Sequence, residues 1–285
     1  MKKLFKKLFK SKPSSRANIR ELNKEFLAFK DLFLFESTQS SSKKHSNPLN
    51  HFGEKCFSQS DEDGITLEIL RRLNILDNGT FAEFGVADGT ENLTLILVAL
   101  GWKGFWVGGD KLAYNTPVND HFRYIQQWIT KNNIVEIANR ACSQLSIDTI
   151  DLISLDLDGN DIHFVRELLK NQIQPKVFIV EYNAKFIPPI KFEIRYDENH
   201  LWLGDDYFGA SLSSFVELFT QYNYRLICCN TATGANAFFV QDQFSALFPE
   251  VPIDIREIYS PPRYFLPKNY GHRQSTKTLE SLFKV

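Results

Sequence analysis

The segment Glu83-Phe84-Gly85-Val86-Ala87-Asp88-Gly89 alternates small residues with bulkier ones between carboxylates. Small residues let a backbone turn tightly and come close to a bound ligand. A dinucleotide site would ask for G-x-G-x-x-G, with the pyrophosphate on a helix N-terminus. Here the spacing is G-x-A-x-G, and Glu83, Asp88 and Glu91 surround it. Such a field repels a pyrophosphate and favours a cation. The sulfonium and amino groups of S-adenosylmethionine suit it better, with Ala87 and Asn92 among the candidate contacts. Asp110 comes 27 residues after Glu83, at the end of the next apolar run, where an acid can accept two ribose hydroxyls.

A second acidic segment, Asp156-Leu157-Asp158-Gly159-Asn160-Asp161, is followed at a distance by Glu181 and Asn183. Oxygen donors at Asp156, Asp158, Glu181 and Asn183 suit Mg2+ or another hard divalent cation, which could orient a hydroxyl and lower its pKa. The competing reading needs no metal: Asp161 caps the next helix and Asp156 meets a cofactor's amino group. Asp158 is the leading general base, and His200, in ENHLWLGDDYFG, is the second. His163 lies just inside a helix and reads as packing. Trp202, Tyr207 and Phe208 could stack on a sugar ring, or simply pack.

These residues need a scaffold. Ser60-Asp61-Glu62-Asp63 reads as a capping box opening a helix to about Leu73. Strand patterns follow at 80–86, 104–110, 133–139, 151–159, 176–183, 224–230 and 236–241, with helices at 91–100, 161–171 and 210–221 between them. Alternating strands and helices give a mainly parallel sheet covered on both faces. The last connection is too short for a parallel crossover, so the final strand should run antiparallel. The expected fold is α/β: a Rossmann-like, seven-stranded, mostly parallel sheet with an antiparallel terminal hairpin. In such sheets ligands sit at the carboxyl ends of the strands. That places Glu83–Gly89, Asp110, Asp156–Asp161 and Glu181–Asn183 on one rim.

The chain has 285 residues, 43% of them hydrophobic and 24% charged, which supports a sizeable core. Its net charge of −1 excludes a broadly basic nucleic-acid binder. The balance is uneven, because six lysines fall within residues 1–12. There Leu4, Phe5, Leu8 and Phe9 share one side of a helix wheel and lysines fill the other, as in a helix lying on an anionic membrane surface. Ile19, Leu22, Phe26, Phe29 and Phe33 mark a second helix at about 17–36, and 37–47 reads as a polar linker. The expected organisation is a basic amphipathic helix (1–12), a helical extension and linker (13–55), the catalytic domain (56–248) and a tail packing on it (249–285). In the tail, Arg263, His272 and Arg273 could meet an acidic sugar. None of Cys56, Cys142, Cys228 and Cys229 forms a C-x-x-C pair, so a reducing cytosol is expected, at the inner face of the membrane if residues 1–12 bind it.

The loop residues and Asp110 resemble motifs I and II of class I S-adenosylmethionine-dependent methyltransferases. The likeness extends to the FkbM-like group through FSQSDEDGI (57–65), FAEFGVADGTENLT (81–94), GWKGFWVGGD (101–110), SLDLDGNDIHFV (154–165), VFIVEYNA (177–184), FGASLSSFVEL (208–218) and GANAFFV (234–240). The resemblance implies a methyltransferase fold, with Glu83, Gly85 and Gly89 lining the cofactor site and Asp110 holding the ribose. It also implies an adenine contact after the third strand, for which Asn139 is the candidate. Some O-methyltransferases of this fold hold a metal with Asp/Asp/Asn after the corresponding strands. A sugar or polysaccharide-precursor acceptor follows from the resemblance alone. Two other readings remain open: a nicotinamide-dependent oxidoreductase, which Asp110 would serve equally well, and a non-catalytic membrane-peripheral module that keeps the fold.

Overall fold

The computed structural model describes residues 16–116 and 120–263. The readings made for residues 1–12, His272 and Arg273 lie outside them. The chain divides into two units at Lys44/His45. The smaller contains helix α1 (Arg16–Lys44). The helix therefore runs through much of the stretch expected as linker. Residues 37–44 contain no glycine or proline to stop it, and serines only weaken a helix.

The larger unit is built on a seven-stranded sheet in the order β3-β2-β1-β4-β5-β7-β6. Its strands are β1 (Thr80–Phe84), β2 (Lys103–Gly108), β3 (Phe122–Gln126), β4 (Leu152–Leu155), β5 (Val177–Glu181), β6 (Tyr224–Cys229) and β7 (Asn236–Gln241). The first five pair in parallel, and β7 inserts antiparallel between β5 and β6. The expected terminal reversal is present. The insertion also departs from the 3-2-1-4-5-6 order of a dinucleotide-binding sheet. Central strands read as continuous apolar runs because both faces are covered. In β4 all four residues are buried.

The helices of this unit are α2 (Glu62–Arg72), α3 (Leu95–Ala99), α4 (Ile134–Leu145), α5 (Asp161–Lys170), α6 (Leu212–Thr220) and α7 (Ile255–Ile258). Residues 133–139, expected as the third strand, instead open α4. Ile134, Ile137, Ala138, Ala141 and Leu145 are buried at helical spacing, a period that seven residues are too few to reveal. The third strand is Phe122–Gln126, in the segment HFRYIQ. Ser211 caps α6 by accepting from the Ser214 N–H.

Residues 45–55 are part of this unit. Asn47 and Asn50 donate through Nδ2 to the Ile227 and Cys229 carbonyls, both at 2.7 Å. On the other side of the chain, Tyr182 donates to the Ser260 carbonyl at 2.7 Å, and Ile258 is buried. The four cysteines are free, and among the described residues no helix is long and apolar enough to cross a membrane.

Candidate functional site

A cleft of about 780 Å³ opens at the carboxyl ends of β1, β4 and β5. Its first wall is the loop after β1, where Gly85 and Gly89 have φ of +99° and +83°. A Cβ on Gly85 would stand 1.6 Å from the Asp156 carbonyl oxygen, so the β1 and β4 loops touch backbone to backbone there. No side chain fits between them. Ala87, Asp88, Gly89 and Asn92 also line the cleft.

Glu83 lines it too but serves the loop. Its Oε1 accepts from Leu93 N–H at 3.0 Å, and its Oε2 accepts from Thr94 N–H at 3.1 Å and Thr94 Oγ1 at 2.5 Å. The Trp106 indole in turn donates to Thr94 Oγ1 at 2.7 Å. Burial pushes the Glu83 carboxyl up, and these donors together with Asn92 pull it back. Glu83 thus builds the surface that a ligand would meet.

The opposite wall carries Asp156, Asp158 and Glu181. One oxygen from each lies within 4.8 Å of the others. Burial pushes Asp156 and Glu181 well above the usual carboxylate range, helped by the charges of Asp158 and Asp161 on both and of Asp156 on Glu181, and the two share a hydrogen bond. Glu181 Oε2 is buried without a hydrogen-bond partner, as an oxygen reserved for a cation would be. Asp158 is at the open lip with φ of +52°. Desolvation by its loop raises its carboxyl, and His200 lowers it.

His200 reaches Asp158 from the long loop after β5. A Cβ on Gly159 would meet the His200 ring at 2.2 Å, so only glycine there lets the imidazole lie against the β4 loop. The structure thus brings together two residues that the sequence separates by 42 positions. Trp202 and Phe208 line the cleft, with ring centroids 6.2 Å apart. Tyr207 packs instead against the buried Phe186 and Phe192 pair.

Several expected site residues lie elsewhere. Asn183 is fully buried, its Nδ2 donating to the Asp206 and Phe208 carbonyls at 2.9 and 3.0 Å and its Oδ1 accepting from Lys185 N–H. It holds the loop after β5 and is not a metal ligand. Asn139 is exposed on α4 and lines a separate pocket with Cys142 and Gln172. It was placed by a strand that is a helix, and it cannot contact a ligand in this cleft. Asp110 is exposed just beyond β2 and is not part of the cleft lining. Asp161 caps nothing; it accepts from Leu157 and Gly159 N–H at 2.8 and 3.0 Å, folding the loop that carries Asp158. Burial raises its carboxyl to about 7. His163 is a packed residue whose Nε2 donates to the Ile194 carbonyl and whose Nδ1 accepts from Arg166.

The sequence reading missed a third wall. Ser60–Asp63 forms no capping box, since Asp61 makes no side-chain cap bond at α2. Asp61 instead accepts from Thr231 N–H and Oγ1 and from Ala232 N–H, in the β6–β7 turn. Asp63 Oδ2 gathers the N–H groups of Cys56, Phe57 and Ser58. Glu62, wholly buried, accepts from Ser60, Asn230 and Asn236 and lines the cleft. Gln59, Asn236 and Arg263 join it there. The signal was present in the stretches 57–65 and 234–240, but their pairing across the sheet was not.

No family model matches the chain, and no curated protein sequence matches it. Among solved structures, one likeness is to the MycE methyltransferase of the mycinamycin biosynthetic pathway, in complex with Mg, SAH and mycinamycin VI. The two are 14% identical with a TM-score of 0.30, over 42% of this chain and 32% of that one. The chain therefore spans about a third of that relative's length. A Lactococcus lactis protein provisionally named a hemolysin is 11% identical, TM-score 0.41, over 66% of this chain and 90% of that one. CalO1, a methyltransferase of calicheamicin biosynthesis in its SAH-bound form, is 14% identical, TM-score 0.34, over 79% and 58%. Likenesses this distant fix no activity.

Proposed function

We propose that the chain is an S-adenosylmethionine-dependent methyltransferase acting on a hydroxyl of a sugar or glycan precursor. The observation that carries this reading is the charge of the cleft. Among the described residues, Glu62, Glu83, Asp88, Glu91, Asp156, Asp158 and Glu181 line it against a single guanidinium, that of Arg263. A pyrophosphate would be repelled there, whereas a sulfonium and an ammonium would be attracted. The nicotinamide reading lacks support at the same point, since the loop after β1 also misses the glycine spacing it needs.

Bound there, S-adenosylmethionine would supply an electrophilic methyl group for the acceptor oxygen, with S-adenosylhomocysteine as the leaving group. The chain must then orient the acceptor and take its proton. Asp158, on the lip and partly desolvated, is the base. His200, beside it, favours its ionised form. Trp202 and Phe208 offer aromatic faces for a sugar ring next to these groups. The sugar itself rests on the FkbM-like resemblance.

The three-carboxylate wall also fits a hard divalent cation, because its oxygens converge and Glu181 Oε2 has no partner. Asp156, Asp158 and Glu181 would hold it, and it would supply polarisation of a substrate hydroxyl. In that state Asp158 would be a ligand instead of the base.

Calorimetric titration of the full chain with S-adenosylmethionine, S-adenosylhomocysteine and NAD tests the reading. Saturable binding of the first two, weakened in Asp156→Asn, is expected. NAD binding instead would overturn the class of enzyme. A folded protein that binds none of them would favour the non-catalytic reading.

A further inference from the structure

The guanidinium in the acidic cleft comes from the segment that follows α7. Tyr259 Oη donates to the Ala184 carbonyl and Tyr182 Oη to the Ser260 carbonyl, both at 2.7 Å, and Ser260 is buried. Gly234, in the β6–β7 turn, has φ of +69°, and a Cβ there would stand 2.5 Å from the Pro261 carbonyl oxygen. The Arg263 N–H donates to the Thr233 carbonyl at 2.9 Å. These contacts strap residues 259–263 along the start of the loop after β5 and along the β6–β7 turn. The strap delivers Arg263 to the cleft lining.

The wall beside the strap holds two acids. Asn236 lies opposite Glu181 in the β5–β7 ladder, and directly opposed residues point to the same face of a sheet. Asn236 also donates through Nδ2 to Glu62 at 3.2 Å. Glu62, Glu181, Thr233, Asn236 and Arg263 all line the cleft, so this wall turns both carboxylates and a guanidinium towards one space. An α-amino acid has the complementary charges. Its ammonium suits the acids, and its carboxylate matches the planar fork of donors that only arginine offers. Adenine and ribose bring no charge for either. A carboxylate entering here depends strongly on that one cation, because among the described residues every other charged group in the lining is an acid that repels it.

We infer that Arg263, held in place by the strap, binds the carboxylate of the methionine portion of S-adenosylmethionine. The inference rests on the cofactor reading above and adds to it the residue that recognises the ligand's one anionic group. It also gives the segment after α7 a part in the site, since Thr233 and Pro261 fix where the guanidinium stands. An acidic sugar is the rival partner for Arg263. The cofactor is favoured because its carboxylate must be accommodated whatever the acceptor is, whereas an acceptor hydroxyl calls for no cation.

Calorimetric titration of the full chain with S-adenosylhomocysteine and with methylthioadenosine separates the two ends of the ligand. The second compound keeps the adenosine and the thioether but has neither carboxylate nor ammonium. Arg263→Ala retains the N–H that Thr233 accepts, so the strap keeps its backbone bond. This variant is expected to bind S-adenosylhomocysteine about ten- to a hundredfold more weakly than the wild type, the loss of one charge-assisted pair. It should bind methylthioadenosine as the wild type does, which also shows that it is folded. Gly234→Ala leaves the guanidinium intact but pushes on Pro261, and it should weaken S-adenosylhomocysteine in the same selective way. Arg263→Ala that weakens both ligands equally, or neither, overturns the inference. Wild-type affinity in Gly234→Ala overturns the strap as what places the guanidinium. If Arg263→Ala binds S-adenosylhomocysteine normally but loses glucuronate that the wild type binds, Arg263 belongs to an acidic acceptor and the inference falls. A folded wild type that binds neither nucleoside overturns the cofactor reading itself, an outcome distinct from failure at Arg263 alone.

Discussion

Replacing Gly85 by alanine tests the contact on which the cleft depends, and Gly101→Ala supplies its control. Both glycines have positive φ, +99° and +79°. A Cβ at Gly101 meets nothing within 4 Å, so its alanine variant bears only the conformational cost. That cost is about 1–2 kcal/mol, which lowers the melting temperature by roughly 2–8 °C in a protein of this size. At Gly85 the same Cβ would stand 1.6 Å from the Asp156 carbonyl oxygen. Non-bonded heavy atoms pack at about 3.5 Å, so one loop must retreat by about 2 Å. Overpacking of this kind adds about 1–3 kcal/mol or more. Gly85→Ala should therefore melt at least several degrees below Gly101→Ala by scanning fluorimetry. The displaced β4 loop takes Asp156 and Asp158 with it, so titration with S-adenosylmethionine should lose its signal even where the variant is folded. Gly101→Ala should bind as the wild type does. Two variants that melt together, or a Gly85→Ala protein that binds normally, would refute the backbone contact as the organiser of the site.

Thr94→Val removes the hydroxyl that donates to Glu83 and accepts from Trp106, leaving a buried indole N–H and a buried carboxylate oxygen each short of a partner. A loss of about 3 kcal/mol is expected in urea unfolding, and Thr94→Ser should recover most of it. Stability should also rise as pH falls from neutrality towards the mid-fives. Glu62, Glu83 and Asp161 all have carboxyls raised by burial, Asp161 to about 7. The native state therefore binds more protons than the unfolded chain between the ordinary carboxyl range and those raised values, and each added proton favours it. A urea midpoint that moves the other way across that window would contradict the assignment of these acids as buried.

The sheet was legible in the sequence wherever burial on both faces leaves an unbroken apolar run, as in TFAEF and VFIVE. It was illegible where seven residues of NIVEIAN suit either period, and only Ala141 and Leu145 further on reveal the helix. That one error carried Asn139 away from the cleft. The acids on the rim were readable because chemistry leaves few other reasons to crowd Asp156, Asp158 and Glu181 at strand ends. Their neighbours were harder to separate by role. Asn183 and Asp161 have the residue types of ligands, but their hydrogen bonds go to loop backbone, and only the folded path of those loops shows it. Asp61 and Glu62 read as a local cap in the sequence because their donors Thr231 and Asn236 lie about 170 residues away.

That last separation bears on how the chain matures as it is synthesised. The loops after β1 and β4 are complete once β5 has emerged, and five parallel strands can associate by then. The wall that closes the cleft cannot, because Asp61 waits for Thr231 and Ala232, and Glu62 for Asn230 and Asn236. Until β7 slides between β5 and β6, Asp61 and Glu62 have only the local Ser60 as donor and the edge of β5 is open. A nascent chain stalled short of residue 230 would thus display an unfinished sheet edge and a half-built acidic basin, the kind of surface that chaperones and proteases recognise. Competence to bind a ligand would then arrive abruptly with the final hairpin, coupling the appearance of the site to completion of the fold.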